Sequence, residues 1–148
     1  MATLTRELRS IITNAALANK VPVSLALAQA RRESGFNTRA RSRVGAVGLF
    51  QLMPFNAKGI DPYNARQNAS RAMSIMRRHR VRFGSWGRAL AAYVWGPAHV
   101  KARERFPADV KDYISDIAEY RKEYGSGVAW GVPIAATLGL AWWALKKR

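Results

Sequence analysis

The sequence contains no cysteine, which excludes a disulfide framework and any zinc site built on thiolates. Its only histidines, His79 and His99, have no Asp or Glu at metal-ligand spacing, so we expect no metal site and no cofactor. The N-terminus also lacks the uninterrupted apolar stretch of a secretory signal, because Arg6, Glu7 and Arg9 fall where that stretch would begin. No signal peptide is therefore expected.

Acidic residues are scarce. The 148 residues include 25 Lys and Arg but only 9 Asp and Glu, which gives a net charge of +16. Such a charge attracts anionic partners, and nucleic acid, anionic lipid and the bacterial cell wall all meet that description. Six of the nine acids lie in residues 104–123, so only Glu7, Glu33 and Asp61 precede residue 104.

No stretch of four or more residues alternates apolar and polar side chains as a half-buried strand would, so the domain is predicted to be all-α. The first helix is expected in residues 4–19, and the second follows Pro22 and ends near Glu33. Further helical patterns occupy residues 66–83, 86–95 and 107–124.

The region between the second and third helices is predicted to be loop, short helix and loop. Residues 35–46 are rich in Gly, Asn, Ser and Arg, as is typical of a loop. The apolar run 46–54 is predicted to be the short helix, which Pro54 closes.

The C-terminal segment differs from the rest of the chain. Residues 128–145 contain no charged residue and precede the basic tail 146–148. Eighteen helical residues reach roughly 27 Å, close to the thickness of a bilayer core, and tryptophans lie near both ends of the segment. We expect a catalytic domain over 1–124, a flexible joint at 125–127 and a transmembrane helix at 128–145, with a buried C-terminal core helix as the alternative.

Three groups of residues carry a resemblance to a known family. They are Glu33-Ser34-Gly35-Phe36-Asn37 with Ser42; Gly45-Ala46-Val47-Gly48-Leu49-Phe50-Gln51-Leu52-Met53-Pro54; and Ala92-Tyr93-Val94-Trp95-Gly96-Pro97. With Asp61-Pro62, Asn64, Pro107 and Tyr113 in matching order, the chain resembles the lysozyme-like lytic transglycosylases of the soluble (SLT) type over roughly residues 7–120. The resemblance implies a helical domain of the goose-type lysozyme and transglycosylase fold.

Two positions depart from the family pattern. Val94 stands where the family usually has Asn, and valine cannot make the hydrogen bonds of an amide, so substrate contacts there are expected to differ. Phe50 replaces the more usual Met, but both side chains are apolar and of similar bulk.

Glu33 is the candidate catalytic residue. An isolated Glu at a helix end is ordinarily a solvated surface charge, and only the surrounding motifs favour a catalytic role. Breaking a glycosidic bond requires a proton on the leaving oxygen, which suits a carboxylic acid held protonated in apolar surroundings. Its neighbours one turn earlier, Gln29 and Ala30, are uncharged, whereas Arg31 and Arg32 project from other faces of the helix.

Most glycosidases use two carboxylates, but spacing brings neither Glu7 nor Asp61 to Glu33. The resemblance implies a one-carboxylate mechanism. In it, Glu33 protonates the bond between N-acetylmuramic acid and N-acetylglucosamine in peptidoglycan, then accepts a proton from the sugar's 6-hydroxyl to give a 1,6-anhydro product.

The same resemblance implies four substrate-binding residues. Ser34 and Gln51 would orient Glu33 or the sugar, and Tyr93 would place a hydroxyl near the acid, with a core tyrosine as the alternative. Gly48 is expected to act through backbone geometry.

A dense basic stretch lies on the predicted third helix and comprises Arg71, Arg77, Arg78, His79, Arg80 and Arg82. A solvated helix face is one interpretation. The other is binding of peptidoglycan acids, anionic lipid headgroups or packaged DNA.

The predicted anchor raises a question of location. A basic C-terminus prefers the cytoplasmic side, which would place the domain outside a cell without a visible export signal. A place in the internal membrane of a membrane-containing bacteriophage avoids this conflict, and the bacterial envelope is the alternative. Two other functions remain open: a hydrolytic muramidase, or a structural or DNA-contacting virion membrane protein that retains the fold.

Overall fold

The computed structural model describes residues 1–100 and 105–125 of the chain. Within them the protein is helical, as predicted, and β-structure is limited to two isolated bridges that Val47 makes with Arg41 and Leu52. The helices are α1 (Arg6–Ala18), α2 (Val23–Ser34), α3 (Ala65–Phe83), α4 (Trp86–Trp95) and α5 (Ala108–Gly125), with a 3₁₀ turn at Pro97–His99.

Capping residues set the helix ends. The Thr5 hydroxyl oxygen accepts a hydrogen bond from the Leu8 N–H, so α1 begins two residues later than its apolar pattern indicated. Gly35 and Gly84 end α2 and α3 in the left-handed conformation, with φ of 57° and 82°. Both helices therefore stop at the glycines that follow their patterns.

Helix α2 forms the centre of the domain. It packs against α5 and α1, while α3 packs against α1 and α4. All residues from Leu25 to Ala30 are buried, which means that this part of α2 is enclosed on every side. The end of α2, which carries Glu33, is thereby fixed to the core.

The predicted short helix over residues 46–54 is wrong. Gly48 and Gln51 have φ of +79° and +49°, which no α-helix contains, and Val47 and Leu52 exchange two backbone hydrogen bonds of 2.9 and 3.0 Å. We call residues 45–54 the glycine loop. The apolar run is buried as a compact turn, so its hydrophobicity reflects burial and not helix formation.

The predicted joint, transmembrane helix and basic tail lie outside the described residues, except that α5 extends to Gly125. In the part of the chain that the structure does describe, none of the helices combines the length and apolarity needed to cross a bilayer.

Candidate active site

Glu33 lies in the last turn of α2, where it is partly buried. Burial raises the pKa of its carboxyl group from the usual 4.5 to about 7, because an ionised carboxylate loses much of its hydration there. Two weaker influences lower the pKa, a hydrogen bond from Tyr113 and the charge of Arg32. Glu33 can therefore hold or release a proton near neutral pH.

Tyr113 of α5 reaches across the interface with α2, and its hydroxyl donates a hydrogen bond to Oε1 of Glu33. The Tyr113 side chain is buried, and burial together with the negative charge of Glu33 raises the pKa of this phenol well above its usual range. Tyr113 therefore remains a hydrogen-bond donor, and its bond favours the ionised form of Glu33.

Arg31 and Arg32, which precede Glu33, are held by acids of α5. Arg31 donates to Glu123 at 2.6 Å and lies over the ring of Tyr120 at 4.1 Å. Arg32 donates to Asp116 at 2.9 Å. Arg32 also lies over the ring of Tyr113 at 5.4 Å, so Arg31, Arg32 and Glu33 all contact α5, and the charge of Arg32 acts on Glu33.

The glycine loop is hydrogen-bonded to α2, the helix that carries Glu33, and to α4. The Ser34 hydroxyl donates to the Leu49 carbonyl oxygen at 2.7 Å, and the Tyr93 hydroxyl donates to the Phe50 carbonyl oxygen at 2.6 Å. Tyr93 also lies close enough to Glu33 for the carboxylate charge to raise the pKa of its phenol, although burial contributes more. Ser34 and Tyr93 thus connect α2, the glycine loop and α4.

Gln51 stabilises the glycine loop from within. Its side-chain amide donates to the carbonyl oxygens of Gly48 and Ala40 at 3.0 and 3.3 Å. Among the described contacts, neither Gln51 nor Ser34 hydrogen-bonds to Glu33 itself. Their described bonds shape the surroundings of the acid.

Gly48 occupies a position that admits no side chain. A Cβ atom there would lie 2.2 Å from the Pro62 carbonyl oxygen and 2.3 Å from Nδ2 of Asn68. Glycine at this position thus leaves space for the Pro62 carbonyl group and the Asn68 side chain.

Asn68 of α3 was missed by the sequence reasoning, yet it holds the glycine loop in place. Its side-chain oxygen accepts from the Phe50 N–H at 2.9 Å, and its amide donates to the carbonyl oxygens of Val47 and Pro62 at 3.1 and 2.8 Å. The sequence signal that could have found Asn68 is its position as a polar residue on the otherwise apolar face of α3. Tyr113 was placed only in the closing helix, and nothing in the local sequence connected it to Glu33.

A second carboxylate is not found beside Glu33 in the part of the chain described. Asp61 is exposed and accepts a hydrogen bond from the Tyr63 N–H at 3.0 Å, and Glu7 is exposed in the first turn of α1. Neither acts on the pKa of Glu33, which responds only to burial, Tyr113 and Arg32. In the described part of the chain, no group of three His, Cys, Asp or Glu side chains is arranged to hold a metal ion.

The basic stretch on α3 does not form a uniform surface. Arg71 turns toward the preceding loop and donates to the carbonyl oxygens of Asn56 and Lys58 at 2.6 and 3.1 Å. Arg80 lies over the Trp86 ring, whereas Arg78 and Arg82 are exposed.

Comparison with known proteins identifies the family. Residues 10–114, more than half of the 148-residue chain, match the family model of the transglycosylase SLT domain. The chain belongs to this family, which confirms the resemblance seen in its motifs. A transglycosylase of Enterobacteria phage PRD1 is 40% identical over 67 residues, which amount to 43% of this chain and 25% of that protein. The aligned region thus represents only a quarter of that relative.

Solved structures confirm the lytic transglycosylase fold. The lytic transglycosylase Slt of Pseudomonas aeruginosa matches with a TM-score of 0.72 and 24% identity, over 85% of this chain and 25% of that one. The 70-kDa soluble lytic transglycosylase of Escherichia coli matches with a TM-score of 0.56 and 25% identity, over 75% of this chain and 19% of that one.

Proposed function

We propose that the protein is a peptidoglycan lytic transglycosylase in which Glu33 is the single acid and base. The main support is the partly buried Glu33 carboxyl group, whose pKa of about 7 allows it to donate and accept a proton at neutral pH. Membership of the SLT family gives the reaction class. In the P. aeruginosa protein, the replacement of one Glu by Gln gives an inactive form.

The proposed reaction has two steps. Glu33 first gives its proton to the oxygen between N-acetylmuramic acid and N-acetylglucosamine, and the bond from that oxygen to C1 of the muramic acid breaks. The resulting carboxylate then accepts the proton of the same sugar's 6-hydroxyl, whose oxygen bonds to C1. The product is a 1,6-anhydro sugar, no water is consumed, and Glu33 returns to its protonated form.

The described surroundings of Glu33 fit this sequence. While Glu33 is an acid, burial favours its protonated form. Once Glu33 is ionised, the Tyr113 hydroxyl and the nearby charge of Arg32 stabilise the carboxylate. One residue can thus serve both steps, and we propose no second carboxylate.

We propose that Ser34, Gln51, Tyr93 and Gly48 act on the substrate through the glycine loop. Ser34 and Tyr93 hold the backbone of Leu49 and Phe50, and Gln51 holds that of Gly48. The polar backbone groups left at the edge of this loop would face the bound sugar next to Glu33. Val94, 46% exposed on α4, would contact the glycan without the amide hydrogen bonds expected from the family pattern.

The decisive experiment is digestion of purified sacculi by the full-length protein, with Glu33→Gln as the matched variant and mass spectrometry of the products. We expect muropeptides ending in 1,6-anhydro sugars from the natural protein and almost none from the variant. Products heavier by one water would identify a muramidase instead. Equal activity of both proteins would exclude Glu33, and an inactive natural protein would favour a structural role.

We also propose that residues 128–145 anchor the protein in a membrane. The support is the sequence alone, 18 residues without a charge followed by three basic residues. The full-length protein should float with lipid vesicles after an alkaline wash. A variant with Ala136→Arg and Leu138→Arg should not, since each arginine at the centre of a span costs about 2.5–3.5 kcal/mol, whereas Thr137→Ala should behave like the natural protein. Flotation of the arginine variant would contradict the anchor.

We propose the internal membrane of a bacteriophage as its location, supported by the relative in phage PRD1; the alternative is the bacterial cell envelope. Exposed Arg78 and Arg82 would contact anionic lipid or packaged DNA. Replacing both by Gln should weaken binding to anionic vesicles or to duplex DNA at low salt. The ligand that is affected identifies the partner, and no effect on either would exclude this role.

A further inference from the structure

Three polar residues are buried in the described part of the chain, and they differ in how their polar atoms are satisfied. Asn68 makes three hydrogen bonds to backbone groups, and Arg121 donates to the Ser24 hydroxyl at 2.8 Å. Gln29 is fully buried, yet neither Nε2 nor Oε1 of its side chain has a hydrogen bond of normal geometry. A buried amide left in this condition costs about 1–3 kcal/mol, so its presence requires a reason.

The position of Gln29 supplies that reason. It lies four residues before Glu33, and this spacing places both side chains on the same face of α2. The Tyr113 hydroxyl covers this face from α5 and donates to Glu33. The Gln29 amide approaches the same hydroxyl and lowers the pKa of that phenol, as expected when an N–H group points at the phenol oxygen.

We propose that Gln29 is a positioning residue whose amide N–H directs the Tyr113 hydroxyl onto the Glu33 carboxylate. Tyr113 has one proton to donate and an oxygen that can accept. When the Gln29 N–H occupies the oxygen, the proton is directed to Glu33, and the two bonds polarise each other. The inference depends on the proposed acid and base role of Glu33.

The consequence for the reaction concerns the second step. Glu33 is ionised after it has protonated the leaving oxygen, and a strong hydrogen bond from Tyr113 stabilises that carboxylate. Without the Gln29 amide, the Tyr113 bond weakens and the pKa of Glu33 rises further. Gln29 therefore offsets part of the rise in the pKa of Glu33 that burial causes. It acts through Tyr113 and does not touch the sugar.

Within residues 1–100 and 105–125, few other ionisable groups face Glu33. From α2 there is Arg32, which is held by Asp116 of α5, from α4 there is Tyr93, and from α5 there is Tyr113. The glycine loop, residues 45–54, contains no titratable side chain. A change at Gln29 leaves all of these groups in place, so a shift of the pH profile can be assigned to the lost amide.

The test is the pH profile of sacculus digestion by full-length Gln29→Met, whose side chain has similar length and no strong hydrogen-bonding group. Activity requires protonated Glu33, so kcat/KM falls as the pH rises past the pKa of Glu33. A lost hydrogen bond is worth about 0.5–1.5 kcal/mol, so this alkaline limb should move up by about 0.4–1 pH unit. The value of kcat should fall several-fold with KM nearly unchanged, because Gln29 does not touch the sugar.

A double variant tests the route of the effect. Because Gln29 acts through Tyr113, Gln29→Met added to Tyr113→Phe should move the alkaline limb no further than Tyr113→Phe alone. Additive shifts, or an unmoved limb in Gln29→Met, would overturn the proposal, and Gln29→Leu repeats the test if the Met variant does not fold. The proposed function fails separately, through retained activity in Glu33→Gln.

Discussion

The guanidinium group of Arg32 donates to Asp116 at 2.9 Å, which draws the charge adjacent to Glu33 toward α5. Arg31 is held in the same way by Glu123 at 2.6 Å. The charge of Arg32 favours the ionised form of Glu33, and its pairing with Asp116 weakens that effect. Asp116 of α5 thus helps Glu33, at the end of α2, to keep its proton.

Removal of this pairing is expected to change the pH range of activity. In Asp116→Asn the Arg32 charge is no longer neutralised, so it lowers the pKa of Glu33 and moves the alkaline limb of kcat/KM to lower pH. Exposed ion pairs are typically worth about 0.2–1 kcal/mol, so the shift should be less than about 0.7 pH unit. Glu123→Gln, which releases Arg31 instead, is the control and should give a smaller shift. Movement of the limb to higher pH would contradict this account.

Tyr113→Phe should move the same limb in the opposite direction. The variant removes the hydrogen bond that stabilises the Glu33 carboxylate, so the pKa of Glu33 rises and activity persists to higher pH. Tyr93→Phe is the matched control, because its hydroxyl donates to the Phe50 carbonyl oxygen. It should reduce activity by loosening the glycine loop and leave the limb where it is. Equal shifts in both variants would refute the distinction.

The raised pKa of Glu33 also makes folding stability depend on pH. The folded state binds the Glu33 proton more tightly than the unfolded state, so the free energy of unfolding falls as the pH rises from 4.5 to about 7. Above that range ionised Glu33 costs up to about 3 kcal/mol. Glu33→Gln should therefore be more stable than the natural protein at pH 8, and the difference should disappear near pH 4. Urea denaturation at both pH values measures this, and a difference independent of pH would count against it.

The two glycines Gly48 and Gly59 allow the cost of crowding to be separated from that of backbone conformation. Their φ angles are +79° and +80°, but a Cβ on Gly59 would meet nothing within 4 Å, whereas one on Gly48 would strike Pro62 and Asn68. Gly59→Ala should cost about 1–2 kcal/mol, the strain of a left-handed alanine. Gly48→Ala should cost more and reduce activity, because the glycine loop must move. Equal losses in chemical denaturation would show that the close contacts are relieved without cost.

Local patterns were sufficient for the helices and for the motif residues. The apolar spacing of α1 and the glycines after α2 and α3 correspond to elements of nearly the predicted length. Residues 46–54 were misread because a short apolar run has the same appearance in a helix and in a buried turn. Asn68, distant in sequence, satisfies the backbone groups that make the turn stable.

The sequence by itself determined the all-α class, the scarcity of acids and the SLT motifs around Glu33, because these depend on composition and on residues close together in the chain. Only the tertiary structure brought Tyr113 to Glu33, which lies 80 positions away in the sequence, and paired Arg32 with Asp116. It also buried Gln29 completely. The pKa of an acid depends on burial and on groups within a few ångströms, and those distances are set by the packing of α2 against α5.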